Sequence, residues 1–204
     1  LTNKSFAGAS GTVTDNTAGG LNYRAVTVDG TSKTLQLAGS ATGLTFTTLT
    51  IGADDTFSVN GETVTITTLV NNNIFQLQGG ETVTLTTQGT DSGTWTYVGD
   101  GAGGTTTFTV LEVGGTDYFN LTLNSTAGDE TFQSGAAKAI AGTLTVTAGT
   151  YNANGQTTTV TGLATVNGGT YTASTATQTF DGGLTISSGT FTGSSGTVDV
   201  NGAL

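Results

Sequence analysis

The chain has 204 residues, of which 33 are Gly and 50 are Thr, with no Pro, Cys, Met or His and a formal net charge of −10. The missing Cys and His exclude disulfides, zinc thiolate sites, cysteine nucleophiles and Ser-His-Asp relays. The four basic residues, Lys4, Arg24, Lys33 and Lys138, are too few and too scattered to neutralise phosphates, so no nucleic acid partner is expected.

No apolar run approaches the ~18 residues that a membrane-spanning helix needs. The chain opens at Leu1 with neither an initiator Met nor a leader, and is expected to be a processed product or a fragment. A Cys-free, acidic composition rich in Thr, Gly and Asn suits an exported protein, outside the cell or on its surface.

Residues 1–20 are rich in Gly, Ser, Thr and Asn and poor in apolar side chains, and read as an arm or a first irregular coil. Residues 21–204 read as one repeat array. Thr56–Thr68 matches Ile74–Thr87 at an offset of 18 that becomes 19 after one inserted Gly. Val26-Thr27-Val28 followed by Leu35-Gln36-Leu37 has the same form. Residues near 88–118, with Trp95, Tyr97, Gly99–Gly104 and Tyr118, fit the register worst and read as an irregular loop. Phe119–Leu123 resumes the pattern. From residue 142 the period is 20: Val146, Val166 and Ile186 share a phase, as do Tyr151, Tyr171 and Phe191, Val160, Phe180 and Val200, and Gly162, Gly182 and Gly202.

Within each repeat apolar residues alternate with Thr or Ser, as in Val64-Thr65-Ile66 and Leu184-Thr185-Ile186. That is the signature of a strand with one buried face. No window has helical periodicity. Short strands turned by Gly and Asn at a fixed period predict an all-β parallel β-helix, a β-solenoid of ~20-residue coils whose stacked neighbours bury a common core. Three strands are expected in the last coil: Leu184–Ile186, Thr190–Thr192 and Thr197–Val200. The alternative is a pair of tandem β-sandwiches.

The phrases at 118–124 (YFNLTLN), 142–151 (GTLTVTAGTY) and 183–191 (GLTISSGTF) resemble repeats of bacterial surface proteins with β-helix stalks, the filamentous haemagglutinin-like and autotransporter adhesins. The resemblance implies right-handed winding and a place on the cell surface. It names no ligand.

Candidate chemistry is thin. Asp54-Asp55 and Asp129-Glu130 are adjacent carboxylates, read as solvated turn residues rather than an acid/base pair. Asp100, in Gly99–Gly104, is the foremost calcium candidate, with Asp54, Asp55 and Asp129 behind it, but it lacks both the stacked nonapeptide and the EF-hand spacing. Chelators are therefore expected to leave stability unchanged. No catalytic, metal or cofactor residue is assigned, and the protein is not expected to be an enzyme. Trp95, Tyr97 and Tyr118 form either a sugar-stacking platform or part of the core, the core being preferred. Thr63/Thr65/Thr67 and Thr82/Thr84/Thr86 resemble ice-binding arrays but do not continue into later coils. Asn3, Asn120 and Asn124 begin glycosylation sequons, read as incidental in a bacterial protein; surface glycans are a separate partner to test.

The C-terminal segment Thr197–Leu204 keeps perfect register. Its Thr197, Val198, Val200 and Leu204 are the expected subunit interface of a structural, extracellular subunit that assembles head-to-tail into a filament or sheath, meeting residues 1–28 of the next copy. The alternative is the stalk or passenger segment of a cell-surface adhesin. Ice binding and carbohydrate-active β-helix chemistry are minor alternatives.

Overall fold

A computed structural model of the protein describes residues 4–6, 8–14, 22–38, 43–89, 91–113 and 117–204. The chain divides into two compact units, Leu1–Thr94 and Trp95–Leu204. Both are parallel β-solenoids, about nine turns in all, with no helix among the described residues.

In the first unit the strands Lys4–Phe6, Asn22–Val28, Leu44–Ile51, Val64–Asn71 and Val83–Gln88 form one sheet. Gly11–Thr14, Thr34–Ala38, Thr56–Ser58 and Ile74–Leu77 stack in a second. The pairing is parallel and follows the repeat: Phe57 lies against Phe75 and Val64 against Val83, the 18-residue step becoming 19. Lys4–Phe6 pairs with Val26–Val28 and Gly11–Thr14 with Leu35–Ala38, so the described part of residues 1–20 is a coil in register. Asn3 and the rest of that segment lie outside the described residues.

The first sheet is creased. Leu44, Phe46, Leu49 and Ile51 point inward, with two successive outward residues, Thr47 and Thr48, between them. Val64–Asn71 repeats this with Thr67 and Thr68. One extra residue per strand therefore turns the chain without breaking the hydrogen-bonded stack, as a bulge does. The register resumes on the far side, Leu49 against Leu69.

In the second unit each coil from Asn120 onward has three strands. One sheet holds Asn120–Asn124, Leu144–Ala148, Ala164–Val166 and Leu184–Ile186. A second holds Thr107–Val110, Thr131–Ser134, Thr150–Asn152, Thr170–Thr172 and Thr190–Thr192. The third holds Lys138–Ile140, Thr158–Val160, Gln178–Phe180 and Val198–Val200. The expected ladders are present: Val146/Val166/Ile186, Tyr151/Tyr171/Phe191 and Val160/Phe180/Val200. Every registered pair is parallel, which removes the tandem-sandwich alternative, because sandwiches are built from antiparallel strands.

The core is a set of like-on-like columns. Phe108, Phe132, Tyr151, Tyr171 and Phe191 occupy successive rungs of one column. Tyr171 and Phe191 stack at 5.1 Å and 9°. Each buried Val, Leu or Phe contributes roughly 1.5–3 kcal/mol. The glycine column has a different cause. A Cβ on Gly162 would lie 2.4 Å from the Gly142 carbonyl oxygen, and one on Gly182 would lie 2.3 Å from the Gly162 carbonyl carbon. The backbones of successive coils touch there, so no side chain fits.

Val166 is 1% exposed, whereas its neighbour Thr165 faces outward. Val166→Asp should therefore cost several kcal/mol by burying an unpaired charge. Thr165→Asp should stay within about 0.5 kcal/mol of wild type. Urea unfolding of both variants measures the difference, and equal costs would refute the register.

Candidate functional site

The carboxylates expected to be solvated are divided between surface and interior. Asp54 and Asp55 both lie in the turn after Leu44–Ile51. Asp54 Oδ2 accepts the Ser32 N–H at 2.9 Å. Asp55 is fully buried, and accepts the N–H groups of Gly30 (2.9 Å) and Lys33 (2.8 Å) from the preceding coil. Glu81 is likewise buried and accepts from Gly61, Gln78 and Gly79. A turn leaves backbone N–H groups unpaired, and a carboxylate is the strongest acceptor for them. These acids are struts that join one coil corner to the next. The sequence reading missed the role because adjacent acids in a Gly-rich turn look solvated.

Trp95, Tyr97 and Tyr118 are buried, so they are core residues and offer no platform to a sugar. Trp95 packs edge-on against Tyr118 at 5.4 Å, and Tyr118 donates its hydroxyl to the Leu111 carbonyl at 2.7 Å. Burial raises the Tyr118 pKa well above its usual value, and the neighbouring Tyr97 adds to the rise. A polar seam runs through the second unit. The Tyr151 hydroxyl sits 2.8 Å from Ser134 Oγ and 2.9 Å from Thr158 Oγ1, and the Tyr171 hydroxyl donates to Gln178 Oε1 at 2.5 Å.

Lys138 begins the inward column that continues as Thr158, Gln178 and Val198. Its side chain is wholly buried and forms an ion pair with Glu112, which is 44% exposed. Among the described residues no three His, Cys, Asp or Glu side chains come together for a metal. An apolar void of about 10 Å³ in the first unit, among Tyr23, Leu35, Phe46 and Phe57, is too small for a ligand.

A longer threonine array lies elsewhere than the sequence suggested. Thr63/Thr65/Thr67 and its copy meet the crease of the first unit, where Thr67 and Thr68 face outward in succession. In the second unit, Thr107, Thr131, Thr150, Thr170 and Thr190 form one unbroken outward column. Beside it run Thr109, Gln133, Asn152, Thr172 and Thr192. The rungs repeat at about 4.8 Å and the two columns lie about 6.7 Å apart. None of these ten side chains carries a charge. The irregular period at 107–131 hid the first rungs.

Thr197, Val198, Val200 and Leu204 lie on the last coil. Val198–Val200 pairs with Gln178–Phe180 on one side. The Leu184 N–H donates to the Ala203 carbonyl at 2.9 Å, which starts a further rung in register. Ile186 is 46%, Val198 39% and Leu204 91% exposed, although their counterparts one coil earlier are buried.

Lys138 supplies a pH test. Burial lowers its pKa from 10.5 to about 8. Between those values the unfolded chain holds a proton that the folded chain has lost, so stability should rise with pH across that window. Lys138→Met should raise the melting temperature at neutral pH and flatten the rise. Thermal melts from pH 7 to about pH 9.5, below the range in which unfolding would ionise the buried Tyr118, Tyr151 and Tyr171 and oppose the rise, check both, and an unchanged slope in the variant would remove Lys138 as its source.

No family model, curated protein or solved structure matches this chain, so what is established is the architecture: a parallel β-solenoid repeat protein.

Proposed function

We propose that the chain is a structural, extracellular β-solenoid that stacks head-to-tail into a filament or sheath through Thr197, Val198, Val200 and Leu204. One observation carries the reading. The last coil keeps the register of the coils beneath it, yet its apolar residues Ile186 and Val198 are exposed. A strand edge of this kind takes up another strand readily. Low charge density supports the same reading, with charged side chains making up 9% of the chain and little repulsion between stacked coils. Further coils of a haemagglutinin-like or adhesin stalk would occupy the same edge, so assembly of this chain alone separates the two.

Negative-stain microscopy at rising concentration is the test. Filaments are expected for wild type, and none for Val200→Pro, which deletes an N–H donor and fixes φ in the last strand. Short rods at every concentration would reject self-assembly and favour the stalk.

The five-rung threonine column favours a second reading, binding to ice. The column offers hydroxyl and methyl groups at the coil spacing, with no charge in it or in the Thr, Gln and Asn column beside it. Thr150→Lys with Thr170→Lys should abolish inhibition of ice recrystallisation while leaving the melting temperature within a few degrees. A wild-type protein without such inhibition would dismiss this reading.

A further inference from the structure

The corner carboxylates of the first unit have donors, but one in the second unit does not. Glu130 is 0% exposed, and neither of its carboxylate oxygens has a hydrogen-bond partner. The carboxylate lies against Gly99: a Cβ built there would meet Glu130 Oε1 and Oε2 at 2.2 and 3.0 Å. Gly99 has φ +73, and opens the turn Gly99-Asp100-Gly101-Ala102-Gly103-Gly104. The far end of that turn is tied to the next acid along, with the Gly104 N–H donating to Asp129 Oδ2 at 2.6 Å. The other oxygen of Asp129 is buried and unpartnered. One glycine-rich turn is thus laid over two consecutive acids that present three buried oxygens without donors. Asp100 is exposed and accepts the Ala102 N–H at 2.9 Å.

A buried carboxylate without donors costs several kcal/mol unless a counter-charge accompanies it. Lys138, the only basic side chain of the second unit, pairs with Glu112. The geometry points to a calcium site at Glu130, beneath the Gly99–Gly104 turn, with Glu130 as the principal ligand and Asp129 Oδ1 as a second. Calcium suits this setting better than magnesium. It takes six to eight oxygens in loose geometry, including backbone carbonyls and water, which a glycine turn supplies without side-chain obstruction. Magnesium demands a near-ideal octahedron. The small number of carboxylates places the affinity in the range of extracellular calcium modules, about 10⁻⁴–10⁻³ M. The inference reverses the sequence expectation that chelators leave stability unchanged, and moves the site from Asp100 to Glu130.

The test is calcium chloride titrated into the chelator-treated full chain, followed by calorimetry, thermal melting and hydrogen exchange. One calcium per chain should bind, the melting temperature should rise with calcium and fall with chelator, and amides of residues 99–104 should gain protection. Glu130→Gln should weaken binding by tenfold or more and lose the calcium-dependent rise, whereas Asp199→Asn, an exposed acid on the last coil, should match wild type. No saturable binding up to about 10 mM, beyond the weakest such modules, would overturn the proposal. Undiminished binding by Glu130→Gln would do the same. Should that variant fail to fold, exchange on the wild type decides: bound calcium that leaves residues 99–104 unprotected places the ion elsewhere and sinks the site.

Discussion

A backbone amide in a strand of a parallel β-solenoid finds its partner in the coil above or below, not within its own. Every strand pair with an assigned register here is parallel and joins residues one repeat apart. Most other features of the two units follow from that constraint. Side chains one repeat apart must share a column, so the core is built from like residues on like. Turns must superpose, so one glycine column arises where backbones meet. A residue added to one coil must be matched in the next or absorbed at a corner, as the inserted Gly between Gln78 and Glu81 is absorbed.

Corners are where this arrangement is weakest, because the ladder lapses and N–H groups lose their acceptors. The protein answers with short acidic and amide side chains aimed across one coil spacing. Asp55 and Glu81 each bind two or more N–H groups, and the Asn73 amide donates to the Asp55 carbonyl at 2.8 Å. Part of the negative charge is therefore structural. Asp117 belongs with this group, buried and accepting the Ala139 N–H at 2.9 Å.

Where the period is constant, the sequence is easy to read. From residue 142 onward, alternation and a 20-residue step identify each inward residue, because a one-residue slip would turn every side chain to the wrong face. Upstream, the step varies between 18 and 24 residues, and strands such as Thr107–Val110 are separated from their partners by turns of unequal length. Phe108 and Phe132 therefore went unrecognised as rungs below Tyr151, and Thr107 and Thr131 as rungs below Thr150. The polar interior was less legible still. Glu130 and Asp55 sit in runs that look like solvated turns, and nothing in composition separates a buried strut from an exposed acid. Only the stacking of one turn on another decides it. Val198 and Leu204, in contrast, could be placed on the last coil directly from the phase of the repeat, whereas the exposure of Ile186 could not.

Trp95 is the only tryptophan in the chain, and it lies 3% exposed within the second unit, edge-on to Tyr118. The first unit has none. Tryptophan emission is therefore an intrinsic optical label for one half of the polypeptide, while the far-ultraviolet strand signal averages over both halves. Two spectroscopic channels in a single sample thus distinguish concerted melting from stepwise melting, without any dye or engineered chromophore.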